Sequence, residues 1–305
     1  MDRNSPYYRQ VQLLVRLLPI VATESCFALK GGTAINLFIR DLPRLSVDID
    51  LVYLLLDDRE TALKNIRAAL SRIVKGIRQE IPNSDILAAY EETDALRIFV
   101  TQGDARIKIE LSPVLRGSIF PPVTMDVKEL VEATFGYAEM QVLSLPDLYA
   151  GKICAALDRQ HPRDFFDVRL LMENEGLTTE LRQAFLVYLI SHSRPLSELI
   201  NPVLKNFRGI FESDFANMTE IPITVEDLEA TREQLINTIH AGLTEQEIQF
   251  LLSFKARTPD WALLGLDGVD QLPAVKWKML NLQKMSEDKH AKAYAALEKA
   301  LLSAK

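Results

Sequence analysis

Hydrophobic and polar positions recur along this chain with two different periods, and the change from one to the other divides it. Over residues 7–21, Val11, Leu14, Val15, Leu17 and Leu18 fall at helical spacing, which predicts a leading amphipathic helix. Phe27-Ala-Leu is a short apolar run that Gly31-Gly32 ends, and Thr33 stands where a helix N-cap is expected, ahead of Ala34, Leu37 and Phe38. From Ser46 the period becomes two. Val47, Ile49 and Leu51 take one face of a strand, and Asp48 and Asp50 take the other. A helix is expected over 57–78. Residues 96–101 and 106–111 then flank Gly103-Asp104 as a tight hairpin, with Ile107, Ile109 and Leu111 alternating against Arg106, Lys108 and Glu110.

Pro113, Pro121 and Pro122 punctuate an irregular stretch, with short strands expected at 123–127 and 140–143. Beyond Ser144 the helical period takes over. Ser144-Leu-Pro-Asp147 has the spacing of a capping box with Asp in place of Glu, leading into a helix through 152–159, and another runs over 162–172. Further helices are expected at 178–191, 225–239, 244–254, 272–284 and 287–303, with no internal repeat. The layout predicts a mixed α/β domain over 1–143 and a mostly helical domain over 144–305, placed to cap or close a cleft.

Composition narrows the function classes. At 305 residues, 48% hydrophobic and 25% charged, the chain is globular and long enough for two domains. A net charge of −7 argues against coating nucleic acid non-specifically and leaves room for a local basic pocket. Cys26 and Cys154 lack CxxC spacing and read as buried thiols in a reducing compartment. Arg9 and Arg16 interrupt the leading apolar pattern, which speaks against a secretory signal, and no apolar run approaches the roughly 18 residues that span a bilayer. The expectation is a cytoplasmic protein with no membrane partner.

Carboxylates at i and i+2 of a strand point the same way, roughly 6–7 Å apart, and can share or flank divalent cations. Asp48 and Asp50 have this spacing. The same pair on a solvent-facing strand would be ordinary, but aspartate is disfavoured within a β run and two of them need compensation. Glu110 lies on the polar face of another expected strand; if the two strands are neighbours, three hard oxygen donors converge as a Mg²⁺ site, two-metal in form. Gly31-Gly32-Thr33 offers backbone N–H groups and a hydroxyl at a helix start, which suits a triphosphate, or else is a tight turn that needs glycine. A phosphate cradle followed by paired acids supplies both components of nucleotidyl transfer. Arg44 and Ser46 either position phosphate or brace the loop before the strand.

In the second half, Lys152, Ala156 and Arg159 share one helical face, either a basic stripe toward an anionic ligand or a solvated surface. Arg163, Asp164 and Asp167 could form a structural network. Asp164, near a helix N-terminus, is expected to face the site and Asp167 to be structural. His161, His192, His240 and His290 show no metal-ligand spacing, His161 reads as loop structure, and neither a GxSxG elbow nor a Cys/His pair occurs.

GGT followed by RLSVDIDLV is similar to the Gly-Gly-Ser/Thr and Arg-x-Ser-x-Asp-x-Asp-Leu motifs of the AbiEii/MenT group of nucleotidyltransferase-like toxins, relatives of DNA polymerase β. KICAALDRQHPRDFFD, residues 152–167, resembles that group's final motif of a lysine, an arginine and an Arg-Asp-x-x-Asp sequence. The resemblance covers scattered segments within residues 24–175. It implies an α/β (α+β) fold, a polymerase β-like mixed sheet with flanking helices, with the helical domain completing an active-site cleft. It further implies that Gly31, Gly32 and Thr33 bind nucleotide phosphate, that Asp48 and Asp50 bind metal, and that Lys152 contacts the triphosphate while Asp164 serves the acceptor or orients Lys152. Arg44, Ser46 and Arg159 complete the expected nucleotide-binding set. Glu110 matches the third carboxylate and ranks below the aspartate pair, because IKIELSP is a short, permissive motif. The implied activity is Mg²⁺-dependent transfer of a nucleoside monophosphate from an NTP to a tRNA 3′ end, by a toxin with a cognate antitoxin. Two alternatives stand beside it: modification of a small hydroxylated molecule, and an inactive nucleotide-binding module that acts through a partner.

Overall fold

A computed structural model describes residues 6–90 and 95–302. Seven strands, β1 (Phe27–Lys30), β2 (Asp48–Tyr53), β3 (Asp85–Ala88), β4 (Arg97–Gln102), β5 (Ala105–Leu111), β6 (Val123–Asp126) and β7 (Glu139–Val142), form one sheet in the order β3-β4-β5-β2-β1-β7-β6. β2 therefore lies in the middle. It runs antiparallel to β1 and parallel to β5, with Asp50 in register with both Lys30 and Glu110. One face of this central region is apolar: Leu29, Ile49, Leu51, Ile107, Ile109 and Leu111 are all buried. The other carries the charges that the strand period assigned to it.

The leading helix α1 (Pro6–Ala22) buries Val11, Leu14, Leu17 and Leu18 and packs against β5, β7 and α3 (Arg59–Glu80). Asp58 caps α3, its side chain accepting from the backbone N–H of Glu60 and Thr61. Between β1 and β2, a helical turn α2 (Gly31–Ala34) passes into a wider π turn over Ile35–Ile39, closed by Arg40 N–H on Ile35 O at 2.8 Å. Three expectations shift in this unit. Thr33 is not an N-cap: the turn begins at Gly31 with extended Lys30 before it, and Thr33 lies inside. β2 begins at Asp48 rather than Ser46, and the Ser46 hydroxyl lies against Thr33. Strand β3 and helix α4 (Glu129–Phe135) were unforeseen, being too short to show a period; β3 is an edge strand with Leu87 exposed.

The chain divides into two compact units, Met1–Ser144 and Leu145–Lys305. In the second, α5 (Leu145–Arg159) packs on α6 (Pro162–Asn174) and α7 (Thr179–Ser191), followed by short α8 (Leu196–Ile200) and α9 (Arg208–Ile210), then α10 (Val225–Gly242), α11 (Glu245–Lys255), α12 (Pro273–Gln283) and α13 (Glu287–Leu302). Thr224 with Asp227 and Thr244 with Glu247 form complete capping boxes, which fix the starts of α10 and α11. α13 follows the expected 287–303 helix as far as Leu302, and residue 303 lies outside the described residues. α8 and α9 were unforeseen at three to five residues each. Asp147, from the proposed capping motif, is buried in the first turn of α5 and accepts from the Tyr188 hydroxyl at 3.3 Å. No helix among the described residues is long and apolar enough to cross a membrane.

Candidate active site

The turn from β1 into α2 depends on glycine for two separate reasons. Gly31 has φ +76°, a region costly for other residues, and a Cβ there would lie 2.7 Å from Asp50 Oδ2. A Cβ on Gly32 would lie 2.8 Å from Ser46 Oγ and 2.9 Å from an Arg44 guanidinium nitrogen. The missing side chains are what let the turn lie directly against the start of β2. Thr33 locks this approach: its buried hydroxyl donates to the Asp48 carbonyl and lies 3.0 Å from Ser46 Oγ. Asn36 holds the turn from below, donating to Gly32 O at 2.8 Å. Arg44 is buried and donates to Leu45 O at 2.7 Å. Arg44 and Ser46 thus lie against the turn and the loop before β2.

Register gathers the charged face of the sheet. Lys30, Asp50, Glu110 and Arg97 form one row across β1, β2, β5 and β4, and Asp48 lies beside Lys108 in the next. The parallel β2–β5 pairing thus brings Glu110 onto the acid-pair face. Glu110 meets Arg97 Nη2 through Oε1 at 2.9 Å and Lys108 Nζ through Oε2 at 2.8 Å. Partial burial alone would raise the Glu110 carboxyl, but Lys108, Arg97 and Lys30 hold it below its usual range. Burial alone would lower the Lys108 ammonium, yet Glu110, Asp48 and Asp50 hold it above its usual range.

Among the described residues no three His, Cys, Asp or Glu side chains are arranged to hold a metal ion, and both Glu110 oxygens are engaged by cations. The donor set itself suits a hard divalent cation: the carboxylates of Asp48, Asp50 and Glu110 share one face of the sheet, with the Lys108 ammonium on Glu110. Lys30, Arg97 and Lys108 were missing from the expected site. Strand parity already placed Lys108 on the face of Glu110, but the neighbours of β5 are invisible to a local pattern.

In the helical unit, α5 and α6 bury a second ion cluster. Lys152 Nζ lies 3.0 Å from Asp164 Oδ1 and 2.9 Å from Asp167 Oδ2, and Arg159 Nη2 donates to Asp164 Oδ1 at 2.7 Å. Lys152 is 6% exposed, both aspartates 0%, and Arg159 53%. The basic stripe expected on α5 therefore splits, with its lysine inside and its arginine half in water. Burial would raise the Asp164 carboxyl, but Lys152 and Arg159 hold it well below the carboxylate range. Asp164 and Asp167 share Lys152, and Asp164 also meets the half-exposed Arg159. His161 caps α6 by accepting from Arg163 N–H, and burial together with Arg163 holds its imidazole down at about 4, so it is neutral at physiological pH. Cys154 is buried as expected, whereas Cys26 is only partly so, and burial pushes the Cys26 thiol up to about 11.

Residues 12–279 match the family model described as the nucleotidyl transferase AbiEii toxin of type IV toxin–antitoxin systems. The fold is similar to that of MenT4, a nucleotidyltransferase toxin from Mycobacterium tuberculosis H37Rv, with a TM-score of 0.60 and 13% identity over 95% of this chain and 93% of that one. No curated protein sequence matches the chain.

Proposed function

From the premise that this chain belongs to the AbiEii family of nucleotidyltransferase toxins, which act in type IV toxin–antitoxin systems, we propose that it transfers a nucleoside monophosphate from an NTP to the 3′ end of tRNA. On this reading Asp48 and Asp50 hold Mg²⁺, in a two-ion arrangement, with Glu110 as the third carboxylate. The ions would supply charge neutralisation at the triphosphate and activation of the acceptor hydroxyl. The hydroxyl oxygen forms the new bond to the α-phosphorus, the bond to the β-phosphate oxygen breaks, pyrophosphate leaves, and the hydroxyl proton is lost.

The chain's own residues prepare that exchange. Gly31 and Gly32 present backbone at the start of a helical turn, where an anion is favoured, while Thr33, Ser46 and Arg44 keep the turn against β2. Lys152 and Arg159 are assigned to the triphosphate, with Asp164 orienting Lys152. The observation that carries the proposal is the placement of Asp48 and Asp50 on one face of the central strand, with Gly31 leaving room for the Asp50 carboxylate. A cognate antitoxin is the partner that the family implies.

The test is incubation of the protein with each α-labelled NTP, Mg²⁺ and total tRNA, followed by separation of RNA from small molecules. The proposal expects label on RNA with at least one NTP and none with Asp48→Ala. Label confined to a small-molecule fraction would point to a small hydroxylated acceptor instead. NTP binding without any labelled product would favour a nucleotide-binding partner module.

A further inference from the structure

We propose that Lys108 is a resident counter-cation of the acid face, which a divalent ion must displace, and that it thereby sets the metal affinity of the site. The inference rests on the assignment of Asp48 and Asp50 as metal ligands. Three carboxylates, Asp48, Asp50 and Glu110, face three cations, Lys30, Arg97 and Lys108, across four neighbouring strands.

The three cations are not equivalent. Lys30 and Arg97 sit at the two ends of their row, on β1 and β4. Lys108 is in register with Asp48 on the neighbouring strand and its ammonium lies 2.8 Å from Glu110 Oε2, so it is the cation placed between the acid pair and the third carboxylate. A divalent ion held by Asp48, Asp50 and Glu110 and a lysine ammonium on Glu110 Oε2 would repel each other, so the two occupations of Glu110 exclude one another.

The way Glu110 is held favours exchange over collapse. Arg97 grips Oε1 and Lys108 grips Oε2. When Lys108 leaves, Arg97 still orients the carboxylate, and Oε2 becomes available to an incoming ion. Lysine suits such a role: its charge is a point on a flexible four-carbon stem, and with 30% of the side chain exposed it can swing toward solvent. The freed ammonium is then available to a triphosphate, so metal and nucleotide binding reinforce each other through this residue.

The experiment is titration of the full-length protein with Mn²⁺ in the absence of nucleotide, by calorimetry and by loss of free Mn²⁺ paramagnetic resonance. Wild type is compared with Lys108→Met, Lys108→Arg and Asp50→Asn. Removing the competing charge should tighten Mn²⁺ binding about tenfold in Lys108→Met, equivalent to about 1.4 kcal/mol. Lys108→Arg, which keeps the charge, should stay within about threefold of wild type by the same conversion, and Asp50→Asn should abolish binding. If Lys108→Met does not fold, Lys108→Gln makes the same comparison. Unchanged or weaker Mn²⁺ binding by the neutral variant, with binding still lost in Asp50→Asn, overturns the role of Lys108 and leaves the metal assignment standing. Absence of Mn²⁺ binding in wild type and the Lys108 variants alike overturns both.

Discussion

Lys108 and Glu110 on the sheet each keep 30% of their side-chain surface in water, whereas Lys152 in the helical unit keeps 6% and its partners Asp164 and Asp167 none. The chemical groups are the same. What differs is the cost of changing partners. On the half-open face, water compensates a charge that loses its neighbour, so the ions there can rearrange around a ligand at modest cost. Around Lys152, Asp164 and Asp167 no water replaces a lost partner, so these three charges hold α5 and α6 in one geometry, and removing any of them leaves another short of its partner. The sheet face suits an exchange of partners with metal and substrate, whereas the buried cluster would meet a triphosphate as a charge arrangement that keeps its shape.

The sharpest way to break this contrast is Asp164→Ala, which leaves Lys152 and Arg159 short of a buried carboxylate. It should cost about 3–5 kcal/mol of stability, read by urea denaturation; a loss under about 1 kcal/mol would mean that the cluster relaxes as a surface pair does. The pH dependence tests the same point. Asp164 is held below its unfolded value, so the unfolded chain binds the proton more readily. The stabilisation is therefore present above the unfolded carboxylate range, near pH 4, and is lost as pH falls toward the folded value. Asp164→Asn should flatten that acid limb of the stability profile, and an unchanged limb would contradict the assignment.

Gly31→Ala comes next. It combines a φ of +76° with a methyl 2.7 Å from Asp50 Oδ2, and should cost about 1–3 kcal/mol while displacing Asp50. Thermal unfolding and transfer activity should fall together. Thr33→Val removes the donor to the Asp48 carbonyl and should cost about 1 kcal/mol, with Thr33→Ser restoring most of it. The smallest effect on stability belongs to Glu110→Gln, at about 0–1 kcal/mol, because its two ion pairs are half in water. A larger loss would move the sheet face into the buried class and erase the distinction.

The sheet face was legible in sequence only as far as local period reaches. Alternation placed Asp48 and Asp50 together, and separately placed Lys108 with Glu110, because strand parity is a property of adjacent residues. That the two sets meet depends on the parallel pairing of β2 with β5, which more than 50 residues of intervening chain decide by tertiary packing. Thr33 was misplaced as a cap for a related reason: the helical turn starts two residues earlier, at glycines whose helical use depends on Asp50 and Ser46 approaching them. The helical cluster was legible in its members, since Asp164 and Asp167 recur at i and i+3. The sharing of Lys152 between them was not, because it depends on how deeply α5 and α6 bury that face. Short elements such as β3, α4 and α8 carry too few residues for any period to show.

The central claim is that the acid pair on β2 performs nucleotidyl transfer, and the most direct measurement is the rate at which label passes from an α-labelled NTP to acceptor RNA. It is compared between wild type and Asp48→Ala at matched folded fraction. Because Asp48 is partly exposed at the start of β2, the variant should keep its unfolding midpoint within a few degrees while its rate falls at least about a hundredfold. A folded Asp48→Ala protein that transfers label at the wild-type rate would contradict the account.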